Sequence, residues 1–309
     1  MEYRLLGSTG LHVSIVGFGA APLGDEYGKL DTQEAERAVH RALDVGINFF
    51  DTAPYYGRTL SETRLGQALK GRREKAIVAT KVARYGVTEF DFSAATVTRT
   101  TEESLRRLQT DHLDLLQVHD VEFGDASQII NETLPALRQL QEQGKTRFVG
   151  ITGLSLKMLQ DIATQYPVDS ILSYCRYNLL NRDLEMSLAP FCREKKIGLI
   201  NASPLHMQLL GGEAIPSWHP APESVRDAAH EIIRLCRSRD TSPASVALKF
   251  ASSHQDVAST FIGLTTVAQV DESVAALSSS PEVDLLAEID TLTQPVRRTI
   301  WITGKAENH

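Results

Sequence analysis

Eight short apolar runs, most of them followed by a segment of helical periodicity, recur along the chain. This alternation restricts the possible folds more than any other feature. The runs are "SIVGFG" (14–19), "INFFD" (47–51), "AIVATKV" (76–82), "LDLLQVHD" (113–120), "FVGITG" (148–153), "SILSYCRYN" (170–178), "GLINASPL" (198–205) and "FIGLT" (261–265). In "LDTQEAERAVHRALDVG" (30–46), Ala35, Ala38, Val39, Ala42 and Leu43 fall on one helical face, behind the capping-box spacing of Asp31 and Glu34. Ser61 is the expected cap of "SETRLGQALK", and further helices are expected from about Ser93 to Leu108 and over 127–143. Strands this apolar, each returning through a helix, belong in a parallel sheet covered by helices. Eight units in 309 residues fit a (β/α)8 barrel. With no linker or composition break, a single domain over 1–309 is expected. An open doubly wound sheet is the alternative, but "GFGAAPLG" breaks the G-x-G-x-x-G spacing that would advertise it. Ahead of the first run, "YRLLGSTGLHVS" reads as a hairpin that could plug the barrel bottom, and "LLGGEAIPSWHPAPESVRDAA" (209–229) as a long loop over the top.

Net charge is −7 with no basic cluster, which argues against nucleic acid or an anionic membrane as the main partner. Cys175, Cys192 and Cys236 lack metal-ligand spacing and read as reduced thiols of a cytoplasmic protein, and no metal is expected. No secretory signal is expected, and no apolar stretch reaches membrane-spanning length. A monomer or homodimer is expected.

In such a barrel, chemistry sits where strands end. There the sequence puts Asp51 after the second run, Lys81 near the end of the third and His119 at the end of the fourth, with Tyr56 five residues past Asp51. Taken singly, each has a bland explanation: a cap, a snorkelling lysine, a satisfied core histidine, a surface ring. Together they make chemical sense. A buried lysine must be paired or deprotonated, Asp51 can keep it charged, and the ammonium would lower the Tyr56 pKa toward neutrality. Tyr56 would then serve as acid or base, with His119 orienting a substrate oxygen. That equipment suits carbonyl/alcohol interconversion.

The motifs "GFGAAPLG", "FFDTAPYYG", "VATKV", "LQVHD", "GKTRFVGITG" and "IGLTTVAQVDESVAAL" resemble, in order and over essentially the whole chain, the aldo-keto reductase superfamily. Within it, "INFFDTAPYYG", "FDFSAATV", "HDVEFG", "ITGLSL", "ASPLHMQLL" and "WHPA" resemble the aldose 1-dehydrogenases. The resemblance implies a barrel that binds a nicotinamide cofactor without a Rossmann fold, with Asp51, Tyr56, Lys81 and His119 as the catalytic tetrad. The implied reaction is oxidation of the C1 hydroxyl of L-galactose, or a related sugar such as L-fucose or D-arabinose, to its lactone.

The resemblance also implies a cofactor site. NADP-preferring relatives carry a lysine and an arginine where this chain has Gly263 and Gln269, so NAD is the expected cofactor. Glu272 matches an acidic adenine contact, whereas Ser273 replaces a frequent Asn. Gly19, Thr265, Ser203, Pro204 and Leu205 complete the expected lining, with Thr152 and Gly153 at the end of the fifth run. Many relatives stack an aromatic on the nicotinamide where Ala202 or Ser203 stands; Ser173 and Tyr174 occupy the place of a carboxamide-binding glutamine, and Tyr174 could stack instead. The expected sugar pocket draws on Tyr55, Arg84, Asp120, Glu122, Arg176, His206 and Trp301. The alternatives are a reductase of small aldehydes or a pyridoxal dehydrogenase, and a regulatory barrel like the potassium-channel β subunits.

Overall fold

The computed structural model describes residues 1–26, 28–211, 218–278 and 283–309. The chain opens with an antiparallel hairpin, β1 (Tyr3–Leu5) and β2 (His12–Ser14). Eight parallel strands follow: β3 (Val16–Gly19), β4 (Phe49–Asp51), β5 (Ile77–Val82), β6 (Leu113–Val118), β7 (Thr146–Gly153), β8 (Ser170–Tyr174), β9 (Gly198–Ala202) and β10 (Val257–Gly263). They close a barrel, β10 pairing with both β9 and β3. All eight apolar runs are barrel strands. The last starts four residues earlier than the hydropathy suggests, because Val257, Ser259 and Thr260 still pair with β9, with Ala258 left out at a register shift between Val257 and Ser259.

The helices are α1 (Thr32–Asp44), α2 (Leu60–Ala68), α3 (Ala94–Leu108), α4 (Ala126–Gln128), α5 (Leu134–Glu142), α6 (Leu156–Gln165), α7 (Asp183–Met186), α8 (Leu188–Lys195), α9 (Glu223–Ser238), α10 (Pro243–Ser252), α11 (Val267–Ser278) and α12 (Val283–Thr293). Among the described residues, no helix is long and apolar enough to cross a membrane. Asp31 caps α1 by accepting from the Gln33 and Glu34 amides, but Glu34 does not complete the box. Its carboxylate turns instead to Arg37 and to the Val267 amide of α11. Ser61 is not the α2 cap: it lies inside the helix, buried, and its hydroxyl donates to the Ala20 carbonyl at 2.6 Å. The stretch 209–229 is a loop only in part. Leu209 and Leu210 are buried, α9 begins at Glu223, and residues 212–217 lie outside the described residues.

Side chains alternate across each strand. One set faces the helices, where Phe18, Phe50, Val78, Leu116 and Val149 pack against Val39, Leu65, Leu105 and Leu137. The other fills the barrel, where Phe49, Ala79, Leu115, Ile200 and Phe261 meet Leu6, Leu11 and Val13 of the hairpin. The hairpin thereby plugs the end at which the strands begin; Ser8 N donates to the Lys196 carbonyl just before β9. A separate apolar cluster on the flank includes Leu154, Leu179, Leu209, Ile232, Leu285 and Trp301.

Where α2 crosses α3, Gly66 lets the backbones touch: a Cβ there would sit 2.4 Å from the Arg107 carbonyl oxygen. Gly66→Ala gains about 1 kcal/mol in helix propensity. The clash with fixed backbone costs about 1–3 kcal/mol, so the variant should melt lower. A thermal scan showing an unchanged or raised Tm would contradict this packing.

Candidate active site

Asp51 ends β4, and Lys81 and Gln117 are register partners near the ends of β5 and β6. All three point into the barrel at the end opposite the hairpin. Lys81 Nζ donates to Asp51 Oδ2 at 2.6 Å and to the Thr52 carbonyl at 2.9 Å, and it lies 3.3 Å from the Tyr56 hydroxyl. Gln117 Nε2 donates to the other Asp51 oxygen at 3.3 Å. Burial raises the Asp51 carboxyl, while Lys81 and then Gln117 oppose the rise. The 2.6 Å contact is that of a charge-assisted pair. Gln117 was not among the expected residues; counting two back from His119 along the alternating strand would have found it.

Tyr56 enters from the β4–α2 loop, and the His119 ring stands edge-on to it at 5.7 Å. The structure brings all four expected residues together, but one electrostatic expectation fails. The Tyr56 phenol is pushed well above 10, first by burial and then by Asp51 and Asp120. The Lys81 charge is spent on Asp51 and a carbonyl, so it does not offset the desolvation. His119 is held well below 6.5 by burial, then by Lys81 and Arg84, and is a neutral imidazole. Its Nδ1 is buried without a partner, and Nε2 is 3.7 Å from Asp120 Oδ2.

Beside His119, Arg84 pairs with Asp120 and lays its guanidinium over the Tyr55 ring at 3.8 Å. These three of the expected sugar residues adjoin the tetrad. Three others do not. Arg176 is committed to the Leu154 carbonyl and to Asp183, each at 2.8 Å. His206 is fully buried, bonded to Asn178, and packs with His219 and Trp301 away from the barrel axis. Their residue types suited a sugar pocket; tertiary packing makes them part of the flanking apolar cluster and its edge. Glu122 is buried and engaged by a distant segment, as described below.

A cleft of about 440 Å³ runs outward from Asp51 and Tyr56. Gly19, Ser203, Pro204, Leu205, Gly263, Gln269, Glu272 and Ser273, all expected to hold a cofactor, line it. Ala21, Pro22, Met207, Gln208, Ser242 and Ser245 line it too and were missed; the first four lie within "GFGAAPLG" and "ASPLHMQLL", which signalled the region, while Ser242 and Ser245 lie in no such motif. Thr152, Gly153, Ser173, Tyr174 and Thr265 are not in its walls. Thr152 Oγ1 accepts from the Asp120 amide, the Ser173 hydroxyl donates to the Gly153 carbonyl, and Thr265 donates to Gln269. Among the described residues, no three His, Cys, Asp or Glu are grouped as metal ligands.

This barrel and its Asp–Tyr–Lys–His cluster belong with a known class of oxidoreductases. A model of the aldo/keto reductase family matches residues 15–293, and the chain belongs to that family, whose members use nicotinamide cofactors. It is 43% identical to the L-galactose dehydrogenase of Arabidopsis thaliana, over 100% of this chain and 99% of that protein. It is 33% identical to the D-arabinose 1-dehydrogenase of Saccharomyces cerevisiae, over 78% of this chain and 76% of that one. Among solved structures it is similar to the holo form of an aldo-keto reductase from Bacillus halodurans. That comparison gives a TM-score of 0.79 and 29% identity, over 100% of this chain and 99% of that one.

His119 and His206, the latter pushed down to about 3 by burial, are neutral in the fold, whereas an unfolded histidine titrates near 6.5. The unfolded chain therefore binds more protons below that pH, and stability falls as pH drops from 6.5. Each group costs at most about 1.4 kcal/mol per pH unit. Denaturant midpoints at pH 7 and 5 should show the loss, and His206→Asn should shrink it; an unaltered pH slope in that variant would be contrary.

Proposed function

We propose that this enzyme oxidises the C1 hydroxyl of an aldose to its lactone with NAD, and that L-galactose or a sugar of like ring stereochemistry is the substrate. The observation that carries the reading is the Asp51–Lys81–Tyr56 contact with neutral His119, at the inner end of the cleft, in a chain matched end to end by an L-galactose dehydrogenase. A nicotinamide, when bound, supplies the hydride acceptor and, oxidised, a positive charge that favours the tyrosinate. Gly19, residues 203–205, Gln269, Glu272 and Ser273 all line the cleft and would hold the cofactor. Tyr56 takes the C1 hydroxyl proton, and Lys81 lies close enough to stabilise the resulting anion. His119, neutral and with a free ring nitrogen, orients the sugar oxygen. Arg84, Asp120 and Tyr55 offer a fork, a carboxylate and a ring to the remaining hydroxyls and the apolar face. Cytoplasmic location is part of this reading; the thiols of Cys175 and Cys192 are buried.

NAD rather than NADP is supported by the cleft walls. No Lys or Arg occurs among the described lining residues, and a dianionic phosphate needs cationic partners. Gln269 is occupied by Thr265, and a Cβ at Gly263 would meet Pro22 Cγ at 2.8 Å, which blocks a longer side chain.

Tyr56→Phe should lower kcat by about 10²–10⁴-fold while cofactor affinity barely changes. NADH absorbance over a panel of aldoses and fluorescence titration of the cofactor measure the two. A fully active Phe variant would refute the role of Tyr56. Equal kcat/KM with NAD and NADP would defeat the cofactor assignment, and turnover confined to small aldehydes would defeat the substrate.

A further inference from the structure

Glu122 lies two residues past Asp120, fully buried, in the short turn Val121–Phe123. Three separate segments converge on it: the end of β7, Tyr174 of β8 and the C-terminal tail. Its Oε1 accepts from Leu154 N at 2.9 Å, Thr303 Oγ1 at 3.1 Å and Tyr174 OH at 3.4 Å. Its carbonyl accepts from Lys305 N at 2.9 Å and Asn308 Nδ2 at 2.8 Å, and the same Asn308 amide donates to the Gly124 carbonyl. Two glycines make the approach possible: a Cβ at Gly153 would lie 2.4 Å from Glu122 Oε2, and one at Gly304 would lie 2.3 Å from its carbonyl oxygen. Trp301, buried edge-on against His206 and His219, roots the C-terminal segment just before these contacts. The tail is therefore fastened to the turn that follows His119, through a carboxyl group some 180 residues away in the chain.

We propose that Glu122 is a positioning residue, through which the C-terminal tail (303–308) holds the His119–Asp120 corner in place beside Tyr56, with Tyr174 fastened to the same carboxyl group. The polar environment fixes how it works. Asp120 stands on the same loop, His119 and Arg84 lie beside that, Tyr174 faces it from β8 and Arg176 from the segment after β8; the tail brings Lys305, Glu307 and His309. Arg84 is held by Asp120 and Arg176 by Asp183, so neither cation contacts Glu122. Glu307 is exposed, and His309 Nε2 meets the Thr303 carbonyl. Oε2 has no partner at all. Burial and then Asp120 push the carboxyl up to about 8 from an ordinary 4.5, so it stays protonated at neutral pH. A released tail returns it toward 4.5. The fastened form thus binds a proton that the released form gives up. Fastening is strongest below pH 4.5, weakens as pH rises to about 8, and is level beyond.

Hydrogen exchange on the full chain without sugar, corrected for intrinsic rates, tests this at pH 6–9 in segments 303–308, 119–124 and 172–176. Protection in wild type should fall between pH 6 and 8, by up to roughly tenfold per unit. In Glu122→Gln, which keeps the acceptor and cannot ionise, it should stay level. Thr303→Val, a tail change that leaves the core untouched, should loosen all three segments roughly tenfold. In the kinetic arm, which alone rests on the function proposed above, Glu122→Ala should raise KM about tenfold with a smaller change in kcat, and Glu122→Gln should restore it. A small aldehyde replaces the aldose if no sugar reacts, so failure of the sugar reading stays distinct. Wild-type protection level with pH, Thr303→Val with an unaltered 119–124 segment, or a loosened tail with normal KM would each overturn the proposal.

Discussion

The buried pair Asp51–Lys81 is the constraint on which the rest of the site depends. Both groups are inside a barrel whose interior below them is largely apolar, and either one alone would cost several kcal/mol. They survive there because β4 and β5 are neighbours and both charges sit at strand ends, at a height that lets Nζ reach a carboxylate and a carbonyl together. Gln117 from the next strand takes the remaining carboxylate oxygen. Nothing in this arrangement tolerates a slip of one residue, since each slip turns a side chain to the other face. The hairpin matters for the same reason. By filling the strand-starting end with Leu6, Leu11 and Val13, it keeps water from reaching the pair from below.

The fold was legible because its signal is local and repeated. Most strands are apolar runs, and several helices begin at a polar cap, such as Asp31 or Ser93, that the next few residues confirm by periodicity. What was misread was also local in appearance but tertiary in cause. Ser61 has the chemistry of a cap, yet it is drawn to the Ala20 carbonyl and Thr52, 41 and 9 residues away in sequence. The early part of β10 carries small polar residues whose strand character comes only from pairing with β3 and β9.

The cluster of Asp51, Tyr56, Lys81 and His119 was legible for a different reason. Strand ends are countable, so Asp51, Lys81 and His119 could be put on one rim without any coordinates. The sugar pocket had no such ruler. Arg176, His206 and Trp301 look like recognition residues by type, but the flanking cluster formed by α9, α12 and the C-terminal segment claims two of them, and Asp183 claims the third. The hidden role of Glu122 depends on contacts from residues 303–308, and no spacing rule links a turn to a tail so far along the chain.

The charges around the rim now form a balance that bears on what the pocket accepts. Lys81 is neutralised by Asp51 and Arg84 by Asp120, each pair in direct contact. His119 is uncharged, and Glu122, raised to about 8, is uncharged as well at neutral pH. The site therefore has polar groups in abundance but almost no net charge. An anionic or cationic substrate would gain little from long-range attraction and would have to break one of the pairs to be recognised. A neutral polyol needs no such exchange. It can accept from Arg84, donate to Asp120 and lie against Tyr55 while both ion pairs remain intact, and its single reactive hydroxyl is then distinguished only by reaching Tyr56. The economy of charge at this rim suits a neutral polyol, while burial, and then Asp51 and Asp120, keep the phenol protonated until a positive charge is brought beside it.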